Sequence, residues 1–268
     1  MRSLRPIIAS LAVAAAAGAA LAPASSVSAA GQAGAQQATQ YQVTLKASAK
    51  EAVAKEDTVK LTGSVIPKPP EGSRVVVQVK YEGLKAWKKV GTATVKPNGN
   101  YRFDVEPESH LDRTYRVVKK TDDKAEGDTS RERTVAVTAW SWLSRLVPSA
   151  GANVIKANTM PINGDVYGHV LFSPTSSSTA FTEFTLGRNC TDLDVTFGLS
   201  DRTETGGRAT MSLKSDGAVV YNRAFNLGES ETELVDVTDV FRIRFDMAQD
   251  DTTPDTEPSL GGGRVLCD

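Results

Sequence analysis

Four side chains in the C-terminal half have the types that a small carbohydrate site requires: Tyr167, His169, Asp201 and Arg202. A sugar presents an apolar C–H face, which an aromatic ring covers, and a rim of hydroxyls, which planar hydrogen-bonding groups address. Tyr167 would supply the ring, and His169, Asp201 and Arg202 the planar polar groups. The competing reading is structural. Tyr167 and His169 then pack and hydrogen-bond at a strand end, and Asp201 and Arg202 form a surface ion pair worth under about 1 kcal/mol.

Catalysis would need a nucleophile beside a base, two carboxylates across a cleft, or a metal cluster. The chain has only two histidines, His110 and His169. It carries no Gly-x-Ser-x-Gly elbow, no Gly-rich phosphate loop and no His-Glu-x-x-His helix. No catalytic residue, cofactor or metal is therefore assigned, and no enzyme is expected. The two histidines lack zinc-type spacing from Cys190 or Cys267. The acidic run 250–257 (Asp-Asp-Thr-Thr-Pro-Asp-Thr-Glu) is rich in the oxygens that hold calcium, but it has no EF-hand glycine or ligand rhythm and fits a solvated loop. Lys119-Lys120 is followed by Asp122 and Asp123 with no interleaved aromatic, which argues against nucleic acid. The 31 basic and 32 acidic residues give a formal net charge of −1, so net charge predicts no polyanionic partner.

Cys190 and Cys267 are the only cysteines. In an exported chain an even pair closes a disulfide, here worth about 4 kcal/mol in the chain-entropy model. Export is expected from the N-terminus. Arg2 and Arg5 precede an apolar stretch from Ile7 to Ala22, and Val27-Ser28-Ala29 offers small residues for cleavage. Residues 1–29 thus read as a signal peptide rather than a membrane anchor, and 30–40 as a disordered Gly/Ala/Gln lead-in. The expected product is secreted, with no membrane association after cleavage.

The elements that must position these residues have a period of two. In 41–138, Val75, Val77, Val79 and Tyr81 alternate with Val76, Gln78 and Lys80, and further strands are expected at 90–95, 101–105, 114–119 and 133–138. About seven short strands make a sandwich. The stripe of Trp140, Trp142, Leu143, Leu146 and Val147 has spacings that suit one face of a short helix, so 139–152 reads as a linker whose apolar side packs between domains. In 153–268, Phe241, Ile243, Phe245 and Met247 alternate with Arg242, Arg244 and Asp246. Ser215-Asp216-Gly217-Ala218 is the strongest hairpin signal in the chain. The expectation is an all-β protein of two β-sandwich domains.

Two resemblances add to this. The stretches 72–78, 87–90 and 98–103 resemble the bacterial Ig-like or fibronectin-like modules of exported proteins. The C-terminal half resembles the NPCBM family of galactose-binding-like jelly rolls, on Ile162-Asn163-Gly164-Asp165-Val166-Tyr167-Gly168-His169-Val170-Leu171 and on the runs 197–201, 215–221 and 235–243. It departs from that family at Val170, where a glycine usually follows the histidine, and in the tail 261–266, which has no tryptophan. The resemblance implies a non-catalytic binder of a glycan or cell-wall polysaccharide, with the first domain as spacer. The missing tryptophan keeps open a second class, a structural module whose partner is another extracellular protein.

Overall fold

Short runs of alternating apolar and polar residues, with β-branched and aromatic types in the apolar places, dictate strands. The computed structural model describes residues 39–175 and 178–268. The expected signal peptide, 1–29, and nearly all of the expected lead-in, 30–40, lie outside the described residues. At its end Thr39 and Gln40 are engaged: Gln40 forms an isolated bridge with Glu126, whose N–H donates to the Thr39 carbonyl at 2.9 Å. The all-β expectation holds. The described residues contain twenty strands and one turn of 3-10 helix, Leu143–Arg145.

In the first half, β1 (Gln42–Val43), β2 (Lys46–Ala47) and β3 (Glu51–Val53) are short, and β4 (Val59–Ile66) and β5 (Arg74–Tyr81) are long. They are followed by β6 (Lys88–Thr94), β7 (Asn100–Val105), β8 (Arg113–Lys119), β9 (Asp128–Thr129) and β10 (Arg133–Trp142). One layer has β4 paired with β1, β2 and β7. The other runs β6-β5-β8-β10, with β9 beside β8 and β3 parallel to β10. Val75, Val77, Tyr115 and Val135 meet Val43, Leu61 and Tyr101 in the core between them.

The second half contains β11 (Ala150–Ala152), β12 (Ile155–Ile162), β13 (Asp165–Phe172), β14 (Thr179–Thr185) and β15 (Cys190–Leu199). Then come β16 (Arg208–Ser215), β17 (Ala218–Asn226), β18 (Ser230–Asp236), β19 (Arg242–Gln249) and β20 (Pro258–Cys267). A five-stranded sheet ordered β11-β14-β19-β16-β17 faces a layer ordered β12-β13-β20-β15-β18. Phe184, Leu193, Phe197, Met211, Phe225 and Phe245 fill the space between. At the β16–β17 turn Asp216 and Gly217 both have positive φ (47° and 88°), the conformation that a two-residue Asp-Gly hairpin requires. Cys190 and Cys267 are disulfide-bonded and stand directly opposite each other on β15 and β20.

The helix expected over the tryptophan stripe is replaced by strand. β10 runs on through Trp142, because Ala139–Trp142 finds a ladder of hydrogen bonds with Arg264–Cys267 of β20. That pairing joins the layers of the two halves into one eleven-stranded sheet. The helical spacing is honoured only by the single turn after it, where the Leu146 N–H donates to the Leu143 carbonyl.

Candidate functional site

Along β10, Val135 and Val137 enter the first core and Leu143 enters the second, so alternation places Trp140 and Trp142 on the opposite face. Arg264 of β20 stands across from Trp142. Its guanidinium lies over the Trp140 ring at 4.3 Å and 5.8 Å from the Trp142 ring. Its Nε donates to Asp194 Oδ2 at 2.9 Å, which fixes the plane of the group. The His169 ring stacks on Trp142 with centroids 4.5 Å apart and planes 19° off parallel. Ser144 Oγ lies 3.3 Å from His169 Nδ1. Trp140, Arg264, Trp142 and His169 thus form a run of four planar groups from three strands, each partly exposed.

His169 occupies its place at φ +56°, in the left-handed region, and the β12–β13 ladder pairs its neighbours but not His169 itself. A non-glycine residue there costs about 1 kcal/mol or more, which the ring stack offsets. Two residues earlier, Tyr167 lies over Gly261. A Cβ on that glycine would come within 2.7 Å of the ring. Ile162 rests in the same way on Gly198, at 2.6 Å. Glycine at these two places lets the β12–β13 hairpin lie flat on the sheet, burying Met160 and Ile162 beneath it.

Asp201 ties down the hairpin tip. Its Oδ2 accepts the Gly164 N–H at 3.0 Å, and its own N–H donates to the Pro161 carbonyl at 3.0 Å. Arg202 is exposed, its N–H donates to Ser200 Oγ at 3.2 Å, and no ion pair joins it to Asp201 among the described residues. Of the four residues singled out from the sequence, the structure brings Tyr167 and His169 onto one strand. It sets Asp201 at the hairpin tip as a structural tie.

Sequence reasoning missed Trp140, Trp142 and Arg264 as site residues. The available signal was the spacing of two between the tryptophans, directly after the period-two run Val135, Val137. The acidic run 250–257 folds on itself: Asp250 Oδ1 accepts from the Thr252 N–H at 3.0 Å and from its hydroxyl at 2.6 Å. Those hydrogen bonds hold the Asp250 carboxyl below its ordinary range. Among the described residues no three His, Cys, Asp or Glu side chains gather as a metal site. No helix among them is long and apolar enough to cross a membrane.

No family model matches the chain, and no curated protein does. Solved structures give distant likenesses. One is the CBM51 of a Clostridium perfringens GH95 in complex with methyl-galactose, at 13% identity and TM-score 0.42, covering 47% of this chain and 99% of that one. Another holds the CBM51-2, in complex with GlcNAc, and INT domains of Clostridium perfringens ZmpB, at 14% identity and TM-score 0.41. It covers 84% of this chain and 48% of that one, so the chain spans about half its length. A third is the CBM22-1–CBM22-2 tandem of Paenibacillus barcinonensis Xyn10C, at 9% identity and TM-score 0.24, covering 87% and 95%.

Proposed function

We propose that the protein is a secreted, non-catalytic carbohydrate-binding protein, with its glycan on the Trp140–Arg264–Trp142–His169 run and its first half as a spacer. The observation that carries this reading is the run itself: partly exposed rings beside oriented polar groups, Arg264, Asp194 and His169. Rings of this kind cover the C–H face of a sugar while the guanidinium, carboxylate and imidazole address its hydroxyls. The stretch 162–171, on which the NPCBM resemblance rests, includes most of β13, whose His169 stacks on Trp142. An open face buries little of a ligand, so the expected affinity is millimolar to micromolar, about −4 to −8 kcal/mol.

A glycan array on the whole mature chain, followed by titration of the best hit, tests the reading. Trp142→Ala should lower affinity by about tenfold or more while the domain stays folded. No glycan bound at millimolar concentration, or a Trp142→Ala variant that binds as well as the parent, would sink it.

A second reading has its own observation. Each planar group already has an intramolecular neighbour, while the edge strands β17 and β18 expose Val219, Val220 and Leu234. Exposed edges pair with other chains. A blank glycan array together with a protein partner whose binding is lost in Val220→Pro would favour a protein-interaction module.

A further inference from the structure

The chain as a whole is almost neutral, but the fold separates its charges. On the outer face of the four-stranded layer, Lys46 of β2 stands opposite Thr62 of β4, and Thr62 opposite Arg102 of β7. The next row brings Thr44 and Ser64 together, with Asn100 across from Ser64. Lys96, at the start of the β6–β7 turn, closes the end. These residues line a groove of about 460 Å³ that has no carboxylate in its wall.

Lys46 and Lys96 are exposed and have no acidic partner among the described residues. Arg102 is held rigid by a two-pronged contact with Asp104, at 2.8 and 2.7 Å. Gly63 keeps the floor of the groove closed: a Cβ there would strike the Thr44 carbonyl and the Tyr101 hydroxyl, which are hydrogen-bonded to each other.

We propose that this groove binds an anionic carbohydrate polymer, with the phosphates or carboxylates of its repeat against Lys46 and Lys96 and its hydroxyls against Thr62, Ser64 and Asn100. Two features choose a carbohydrate over a nucleic acid. The one aromatic residue in the wall, Tyr101, is 2% exposed and its hydroxyl is spent on Thr44, so no ring is free to stack on a base. The rest of the wall is hydroxyl and amide, which match sugar hydroxyls. Lys46 and Lys96 both line this wall and carry its unpaired positive charge, whereas Arg102, spent on Asp104, shapes the wall without adding to it. The site is separate from the tryptophan run and does not depend on it.

The test measures binding of the mature chain to polyglycerol phosphate, polygalacturonate, neutral dextran and duplex DNA at rising salt. Binding to one or both anionic carbohydrates is expected, weakening by about tenfold or more between low and physiological salt as counterions return. The polymer preferred tells whether phosphate or carboxylate is the charge recognised. Lys46→Glu with Lys96→Glu should reduce this binding by about tenfold or more at unchanged thermal midpoint, since both side chains are exposed. The milder Lys46→Gln with Lys96→Gln should move it in the same direction. Trp142→Ala should leave it untouched, which separates failure here from failure of the glycan reading above. No anionic polymer bound at about 50 mM salt, variants that bind like the parent, or stronger binding of DNA than of either carbohydrate would each overturn the proposal.

Discussion

The two halves of this molecule share a mechanical task, fastening the first or last strand of the described residues to its layer, and they do it with opposite chemistry. In the first half β1, with Tyr41 just before it, is fastened by a polar cluster. The Tyr41 hydroxyl donates to Asp122 Oδ1 at 2.7 Å, Lys119 Nζ lies 2.6 Å from Asp122 Oδ2 and 4.8 Å above the Tyr41 ring, and Asp128 Oδ2 accepts the Val43 N–H at 2.7 Å. In the second half the strand ending at Cys267 is fastened by a covalent bond to Cys190. The first fastening answers to protons, the second to reductant. Burial works against ionisation of Asp122, but hydrogen bonds from Lys119, Tyr41 and the Lys124 N–H outweigh it and hold the carboxyl at about 2. Tyr41, by burial and then by its bond to Asp122, is pushed up to about 12.

The sharpest way to break this comparison is to remove the covalent fastening. Cys190→Ser with Cys267→Ser should cost the second half about 4 kcal/mol, read by urea unfolding followed through hydrogen exchange. Amides of β4, β5 and β8 should keep their protection. If they lose it in step with β15 and β20, the halves are not closed independently. Native thiol labelling without reductant should find neither cysteine free.

A smaller effect is expected from the polar fastening. Asp122→Asn should destabilise the first half by about 1–2 kcal/mol, with Asp122 partly exposed and the pair discounted accordingly. The sign of the pH dependence follows from the depressed carboxyl. An unfolded aspartate titrates near about 4, so the contribution is complete above about pH 4 and is lost as pH falls through about 2. Acid titration of β1–β4 protection should therefore show a step in that window that Asp122→Asn removes. A step unchanged in the variant would assign it to another carboxylate.

The least expected loss is at His169. Replacing it with alanine removes the stack on Trp142 and keeps a side chain at φ +56°, for a cost of about 1 kcal/mol. His169→Gly relieves the backbone and should cost less than His169→Ala. The reverse order would show that the left-handed conformation at this place carries no strain.

These contrasts bear on what a sequence reader can see. Signals that act over a few residues were legible: the period-two strands, the Asp216-Gly217 turn and the bond between the only two cysteines. β10 was not. Trp140, Leu143 and Val147 have helical spacing, and the force that extends the segment is pairing with β20, more than a hundred residues away in the chain. The candidate site divides along the same line. Tyr167 and His169 sit within one hairpin and were found together, whereas Arg264 and the tryptophans join them only through sheet register. The cationic groove escaped notice because Lys46 and Lys96 each stand among neutral residues in the sequence and are brought to one wall only by the fold.

β20 also sets a schedule. It comes after every strand it touches, and it lies between β13 and β15 while reaching β10 at its far end. A chain emerging from its N-terminus can assemble the first half while the second is still arriving. The second layer of the second half has a gap in its middle until β20 enters, and loop closure of this length makes that step slow. Until then β13 and β15 each show an unpaired edge, so the interval before β20 enters is when the nascent protein most needs protection from pairing with its neighbours.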